Sequence, residues 1–266
     1  DYQDSAGEVF SGHVMSLLFD SFDQLWIGTY SNGVYLYSNE TLVEHFVHKD
    51  DKTASLSSNA ITDLYLSKNG DVWVSTFGGG VNRYLSIKDG FARFPELSNL
   101  SGQFPDLKCY EISEDALGRL WIGTAKGVFG LDSVTGDTVR LGSTETELGN
   151  SADIISVLVV KGGIWFGSLE GDLFYFDFST NELEREFGLD LTEGGGIYGL
   201  LSAADGTVWV SSAASIFRLD DSDKVLKFDR TNGVQVGELN FNADINLTPE
   251  ILLFGGNEGI NVVRTE

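Results

Sequence analysis

The chain has 266 residues, 42% of them hydrophobic, with 18 Phe and 9 Tyr, enough apolar mass for a buried core and too much for a disordered chain. Seventeen basic residues against 40 acidic ones give a formal net charge of −23 with no basic cluster, so nucleic acid, repelled over most of the surface, is not an expected partner. The lone cysteine, Cys109, excludes an internal disulfide, and no apolar run approaches the length of a membrane span.

The first element to recur is Leu25-Trp26-Ile27-Gly28-Thr29. Near-copies follow at Val72–Thr76, Leu120–Thr124, Ile164–Ser168 and Val208–Ser212, and a degenerate one at Leu252–Gly256 with Leu253 in the tryptophan position. All five tryptophans, Trp26, Trp73, Trp121, Trp165 and Trp209, fall in this slot, 44 to 48 residues apart. Such a period predicts an all-β array, a β-propeller of four-stranded antiparallel blades. Six repeats are visible, which gives a six-bladed ring or most of a seven-bladed one, as a single propeller domain over residues 1–266.

Within each unit the pattern predicts four strands. An apolar inner strand comes first: Val14–Phe19, Ile61–Leu66, Cys109–Ile112, Ile154–Val159 and Ile197–Leu201. Tight turns such as Lys68-Asn69-Gly70-Asp71 and Asp205-Gly206-Thr207 are expected to be two-residue hairpins. The tryptophan strand is second, and a glycine-bearing turn leads to a third, such as Val34–Tyr37 or Ile260–Val263. A more polar fourth strand closes most units, as in Leu42–Phe46, Phe91–Phe94 and Leu183–Phe187, with no room for one after Val263. The five indole rings, and Phe254 in the degenerate copy, are expected between blades as structural repeat residues.

The unit from Val14 to Tyr37, the connector from Phe46 to Ile61, and the stretch Asn232–Ala243 followed by Phe254–Asn261 resemble the two-component regulator propeller repeat. That family forms the periplasmic sensor regions of bacterial hybrid histidine kinases and related diguanylate cyclases. The resemblance implies a periplasmic sensor propeller, excised from a larger transmembrane receptor that carries the output module. It also implies partners within that receptor and a homodimer. Ser215 replaces the turn glycine of the fifth unit, and Phe22 stands where a glycine is common in the first.

No catalytic constellation, metal site or cofactor is expected. His45 and His48 lack a third ligand at metal spacing. Asp23, Asp71 and Asp205 sit in hairpins, where turn capping accounts for them better than calcium does. Cys109 is expected as a buried thiol. A propeller glycosidase would need arginines near an acid pair in the channel, but Arg83, Arg93, Arg119, Arg140, Arg185, Arg218, Arg230 and Arg264 fall mostly on third or fourth strands or in the links after them. The alternative to a sensor is a structural or protein-docking propeller, with a lyase or glycosidase behind it. Binding is expected on the face formed by loops into first strands and loops from second to third strands. His13, Tyr30, Asn32, Asn59, Phe77, Lys126, Glu170, Asn240 and Glu258 are the candidates there, with an oligosaccharide as the ligand class.

Overall fold

The structure, a computed structural model, describes residues 12–94, 107–141, 153–186, 189, 195–219 and 224–265. It is all-β apart from a 3-10 turn at Arg230–Asn232 among the described residues. Six consecutive antiparallel sheets follow the repeat, the blade topology of a β-propeller. The chain divides into two compact units, one of residues 1–125 and 129–140, the other of 126–128 and 141–266.

In the first unit, sheet 1 is β1 (Val14–Phe19), β2 (Leu25–Thr29), β3 (Val34–Ser38) and β4 (Thr41–Phe46). Sheet 2 is β5 (Ile61–Leu66), β6 (Val72–Thr76), β7 (Gly80–Ser86) and β8 (Gly90–Phe94). Sheet 3 is β9 (Cys109–Glu114), β10 (Arg119–Thr124), β11 (Gly127–Asp132) and β12 (Thr138–Leu141), whose first β11 residues group with the second unit. Each sheet is a simple meander in sequence order.

The tryptophan face of one sheet packs on the next. Trp26, Val34 and Leu36 bury themselves against Leu56, Ile61, Leu64, Val72, Val74 and Phe91 of sheet 2 and its connector. Trp73 and Val81 do the same against Cys109, Ile112, Leu120 and Ile122 of sheet 3. The repeat's own residues explain how they come so close. A Cβ on Gly28 would lie 2.7 Å from Ile61 Cγ2, so only glycine admits the neighbouring inner strand there. Thr29 and Thr76 each donate from Oγ1 to the carbonyl of the turn glycine four residues on, Gly33 and Gly80, at 2.8 Å.

In the second unit, sheet 4 is β13 (Ile154–Val160), β14 (Gly163–Ser168), β15 (Leu173–Asp177) and β16 (Glu182–Glu186). Sheet 5 is β17 (Gly199–Ser202), β18 (Val208–Ser211), β19 (Ile216–Leu219) and β20 (Val225–Phe228). Sheet 6 is β21 (Leu239–Thr248), β22 (Ile251–Gly256) and β23 (Gly259–Arg264), three strands as the sequence implies. Trp209 and Ile216 pack on Val234, Leu239, Leu252 and Phe254 of sheet 6 and the connector before it. Trp165 is half-buried against sheet 5, while Trp26, Trp73 and Trp121 are buried.

Four expectations change. The turns 20–24, 67–71, 115–119 and 203–207 are not two-residue hairpins: each is a β-turn closed by one left-handed residue, Asp23, Gly70, Gly118 or Gly206. The Lys161-Gly162 turn does have two residues, between paired Val160 and Gly163. The inner strand of sheet 5 begins at Gly199, because Ile197 N–H bonds to Ser168 O of sheet 4 instead of a ladder partner. Phe254 does not take the tryptophan's role: it follows Leu253, faces the opposite side of the sheet, and packs back on sheet 5. Finally, β1 is no buried inner strand, since Leu17 and Phe19 are 61% and 60% exposed. Phe187, at the end of the expected fourth strand of sheet 4, lies outside the described residues.

Candidate functional site

The expected loops do meet at one end of sheets 1 to 4, tied by a recurring backbone bond. Tyr30 N–H donates to His13 O at 3.0 Å, Phe77 N–H to Ala60 O at 2.8 Å, and Ala125 N–H to Lys108 O at 3.0 Å. In the second unit Leu169 N–H donates to Asp153 O at 2.8 Å. In sheets 1 to 4 the residue after the second strand is therefore held against the residue entering the first, which is the geometry that groups ligand-contacting loops on a propeller.

The candidates divide by what their side chains already do. In the first unit His13 and Tyr30 are exposed neighbours. Asn59 is structural instead, because its Oδ1 accepts His48 N–H at 2.6 Å and its carbonyl accepts Gly33 N–H. Asn32 is a turn residue whose carbonyl meets His45 Nε2 at 2.6 Å. Half-buried Phe77 stands at the centre of a cluster that sequence reading missed, with Lys108 Nζ 4.5 Å from its ring centroid and Tyr110 edge-on at 6.2 Å. Lys108 precedes β9 as His13 precedes β1, so position alone would have found it.

In the second unit Glu170 is exposed at the β14–β15 turn, Asn240 at the start of β21 and Glu258 at the β22–β23 turn. Glu258 packs along Gly237, where a Cβ would meet its Cγ at 2.5 Å, and Asn257 N–H bonds to Glu238 O. Lys126, in the β10–β11 turn, is half-buried. Asn240 and Glu258 thus flank one loop, while Glu170 stands apart on sheet 4.

Chemistry of other kinds finds little support. Cys109 is fully buried and burial pushes its thiol far up, away from any thiolate role. His48 faces Leu56 O through Nδ1 at 2.7 Å and Asp50 through Nε2 at 2.9 Å, and His45 stacks on Tyr35. Among the described residues no three His, Cys, Asp or Glu side chains gather with metal-binding geometry. Of the acidic turn residues expected to cap, Asp205 does so, and two others join it. Asp20 and Asp115, six residues before their tryptophans, each accept two turn N–H groups through Oδ1 and the indole N–H through Oδ2, at 2.9 and 3.1 Å respectively. Asp71 instead faces Arg83, and Asp205 caps Thr207.

The second unit also contains a cavity of about 460 Å³ between sheets 5 and 6, walled by Trp209, Phe228, Gly233, Val234 and the length of β23.

Comparison with known proteins places these features. Residues 55–78, the connector and first two strands of sheet 2, match the model of the two component regulator propeller. The chain carries a two-component regulator propeller repeat. It is similar to "Histidine kinase P4" of Formosa agariphila, 22% identical over 249 residues, covering 90% of this chain but 18% of that protein. Among solved structures it resembles the extracellular domain of BT4673 from B. thetaiotaomicron, described as a hybrid two component system. There the TM-score is 0.77 at 22% identity, over 98% of this chain and 36% of that one. A streptogramin B lyase is also similar, with a TM-score of 0.72 at 13% identity over 98% of this chain and 85% of the lyase. The likeness in structure shows a shared fold, and this chain spans well under half of the kinase and of BT4673.

Proposed function

We propose that this propeller is the extracytoplasmic sensor part of a bacterial two-component receptor, a non-catalytic domain that binds a small ligand and passes the event to an output module. The observation that carries this reading is the match of residues 55–78 to the regulator propeller, on a chain whose six sheets all follow that repeat. A periplasmic location and a receptor homodimer follow from the same reading. The ligand class is an oligosaccharide, because the exposed end of the first unit sets the Tyr30 ring near its loops and the Phe77–Tyr110 pair beside a lysine ammonium. Aromatic faces stack on sugar rings while ammonium and amide groups bond to hydroxyls.

A thermal-shift screen of oligosaccharides tests it, since a ligand that binds only the folded state raises Tm. A hit should disappear in Phe77→Ala, and the absence of any shift would favour a docking propeller. The resemblance to streptogramin B lyase supports a second, enzymatic reading. Against it stand His45 and His48, whose rings already engage backbone carbonyls. Turnover of quinupristin, the compound in the structure of a similar virginiamycin B lyase from Staphylococcus aureus, followed by mass spectrometry, would replace the sensor reading with that one.

A further inference from the structure

The first unit holds a concave site away from its loop end. Between Phe46 at the end of β4 and Ile61 at the start of β5, the connector makes an excursion over residues 49–55. Together with β4 and the β7–β8 turn it lines a cavity of about 210 Å³. Its own bonds fix the shape of this wall. His48 and Leu56 pair as an isolated bridge, and His48 Nδ1 meets Leu56 O at 2.7 Å, which closes the neck of the excursion. Within it Lys52 N–H donates to Lys49 O and Ser55 N–H to Lys52 O, both at 3.1 Å. From β8, Arg93 clamps the same segment, donating to Lys52 O at 3.0 Å, Ser55 O at 2.8 Å and Leu56 O at 2.9 Å. Phe91 N–H bonds to Ala54 O at 2.8 Å, an approach that Gly90 permits, since a Cβ there would run into that carbonyl. A pocket with walls bonded in this way needs little reordering to take a ligand, which keeps the entropic cost of binding low.

The lining has two chemical sides. Phe46, Leu56 and Phe91 form the apolar one, with Ile87, itself 52% exposed. Lys49, Lys52 and Lys88 form the other, three of the 17 basic residues in a chain with 40 acidic ones. Two carboxylates also line the cavity, but each is engaged close by. Glu44 Oε1 accepts His45 N–H at 3.2 Å, and Asp89 Oδ2 accepts the Ser86 hydroxyl at 2.8 Å. Among the described residues none of the three ammonium groups forms an ion pair. Grouped cations without a counter-charge attract an anion here, while the acidic remainder of the chain repels it elsewhere. The volume lies below the roughly 300–1,000 Å³ of sites for drug-sized molecules, so the ligand is small.

We infer that this pocket binds a small organic acid, its carboxylate among Lys49, Lys52 and Lys88 and its hydrocarbon body over Ile87 and Phe46. An inorganic anion would leave the apolar side bare, and a neutral hydrocarbon would leave the ammonium groups unanswered. The site is built from the connector and two fourth strands, so it stands independently of the sugar ligand proposed for the loops around Tyr30 and Phe77.

The probe is phenylacetate, titrated into the 266-residue protein while the amide signals of Ser55 and Gly90 and the methyl signals of Ile87 are followed by NMR. These should shift together and saturate in the millimolar range, the affinity expected of so small a ligand. 2-Phenylethanol, which lacks the charge, and inorganic phosphate, which lacks the apolar body, should each bind roughly tenfold or more weakly. Lys52→Gln combined with Lys88→Gln should weaken phenylacetate by about the same factor, through loss of two charge-assisted contacts. Lys161→Gln, which removes the same kind of charge from the β13–β14 turn, should leave the titration unchanged. Both lysines of the double variant are exposed, so its Tm should match that of the parent. If it fails to fold, the three probes carry the test. The absence of a saturable shift with phenylacetate overturns the inference. So does equal binding of phosphate, which would make the lysines a patch for any anion, or of 2-phenylethanol, which would make the pocket a purely apolar one. Phe77→Ala should not alter the titration, and a negative sugar screen leaves all of these outcomes untouched.

Discussion

Asp20 and Asp115 show how much one carboxylate can do six residues before a tryptophan, since each caps a turn and satisfies an indole N–H. Sheet 2 has Ser67 at that position, too short to span the distance, and Trp73 Nε1 is left buried without a partner. Sheet 5 solves the problem differently, with Thr207 Oγ1 accepting from Trp209 at 3.2 Å. Exchanging the two solutions measures their worth. Asp115→Ser should destabilise by about 1–3 kcal/mol, the cost of an orphaned buried donor plus a lost cap, and Ser67→Asp should stabilise by about 1 kcal/mol. Urea denaturation of both variants checks this. A destabilised Ser67→Asp would mean that repulsion from Glu114, which already accepts Lys68 N–H nearby, outweighs the indole bond.

At the scale of strands, the glycine of the repeat is a packing residue. A Cβ on Gly28 would crowd Ile61, and one on Gly167 would run into Ile197 of the next sheet. Gly28→Leu should therefore force the inner strand of sheet 2 outward and cost at least about 1–3 kcal/mol, seen as a lowered urea midpoint. A neutral result would show that sheets 1 and 2 are not so closely packed. This spacing of small and large residues is also why the strands were legible: a tryptophan, a glycine and a threonine each have a fixed job per repeat. The turns were misread because Asn-Gly and Asp-Gly signal a left-handed residue without saying how many residues precede it. The start of β17 was misread because an apolar run does not tell a ladder from a bond to the neighbouring sheet. The loops of the candidate site do come together at one end of sheets 1 to 4, yet Asn32 and Asn59 hold turns and connectors, and Lys108 and Tyr110 were passed over. Polarity in a loop cannot say whether an amide faces solvent or its own backbone.

Over the whole molecule, packing energy is distributed sheet by sheet, each adding a nearest-neighbour interface, while the charge acts everywhere at once. A net charge of −23 opposes compaction through self-repulsion. Ion pairs such as Arg83–Asp71 at 3.9 Å and Arg218–Asp205 at 3.5 Å, long and partly exposed, add little against it. Salt should therefore stabilise, because it screens many long-range repulsions and costs only weak pairs. Raising NaCl from about 20 mM to 0.5 M shortens the Debye length from roughly 20 Å to about 4 Å and should lift Tm by several degrees. Acid works on the same charges with an opposing sign. Hydrogen bonds from Thr207, Ser179, Thr231 and the Thr135 backbone hold the Asp205, Asp177, Asp229 and Asp132 carboxyls below the usual range. Their contribution is present above the unfolded pKa of about 3.9 and is lost as pH falls through the lower folded values. Stability should therefore fall as pH drops below about 4. A Tm that drops with added salt at pH 7 would mean that local ion pairs, not the overall field, govern the stability of this propeller.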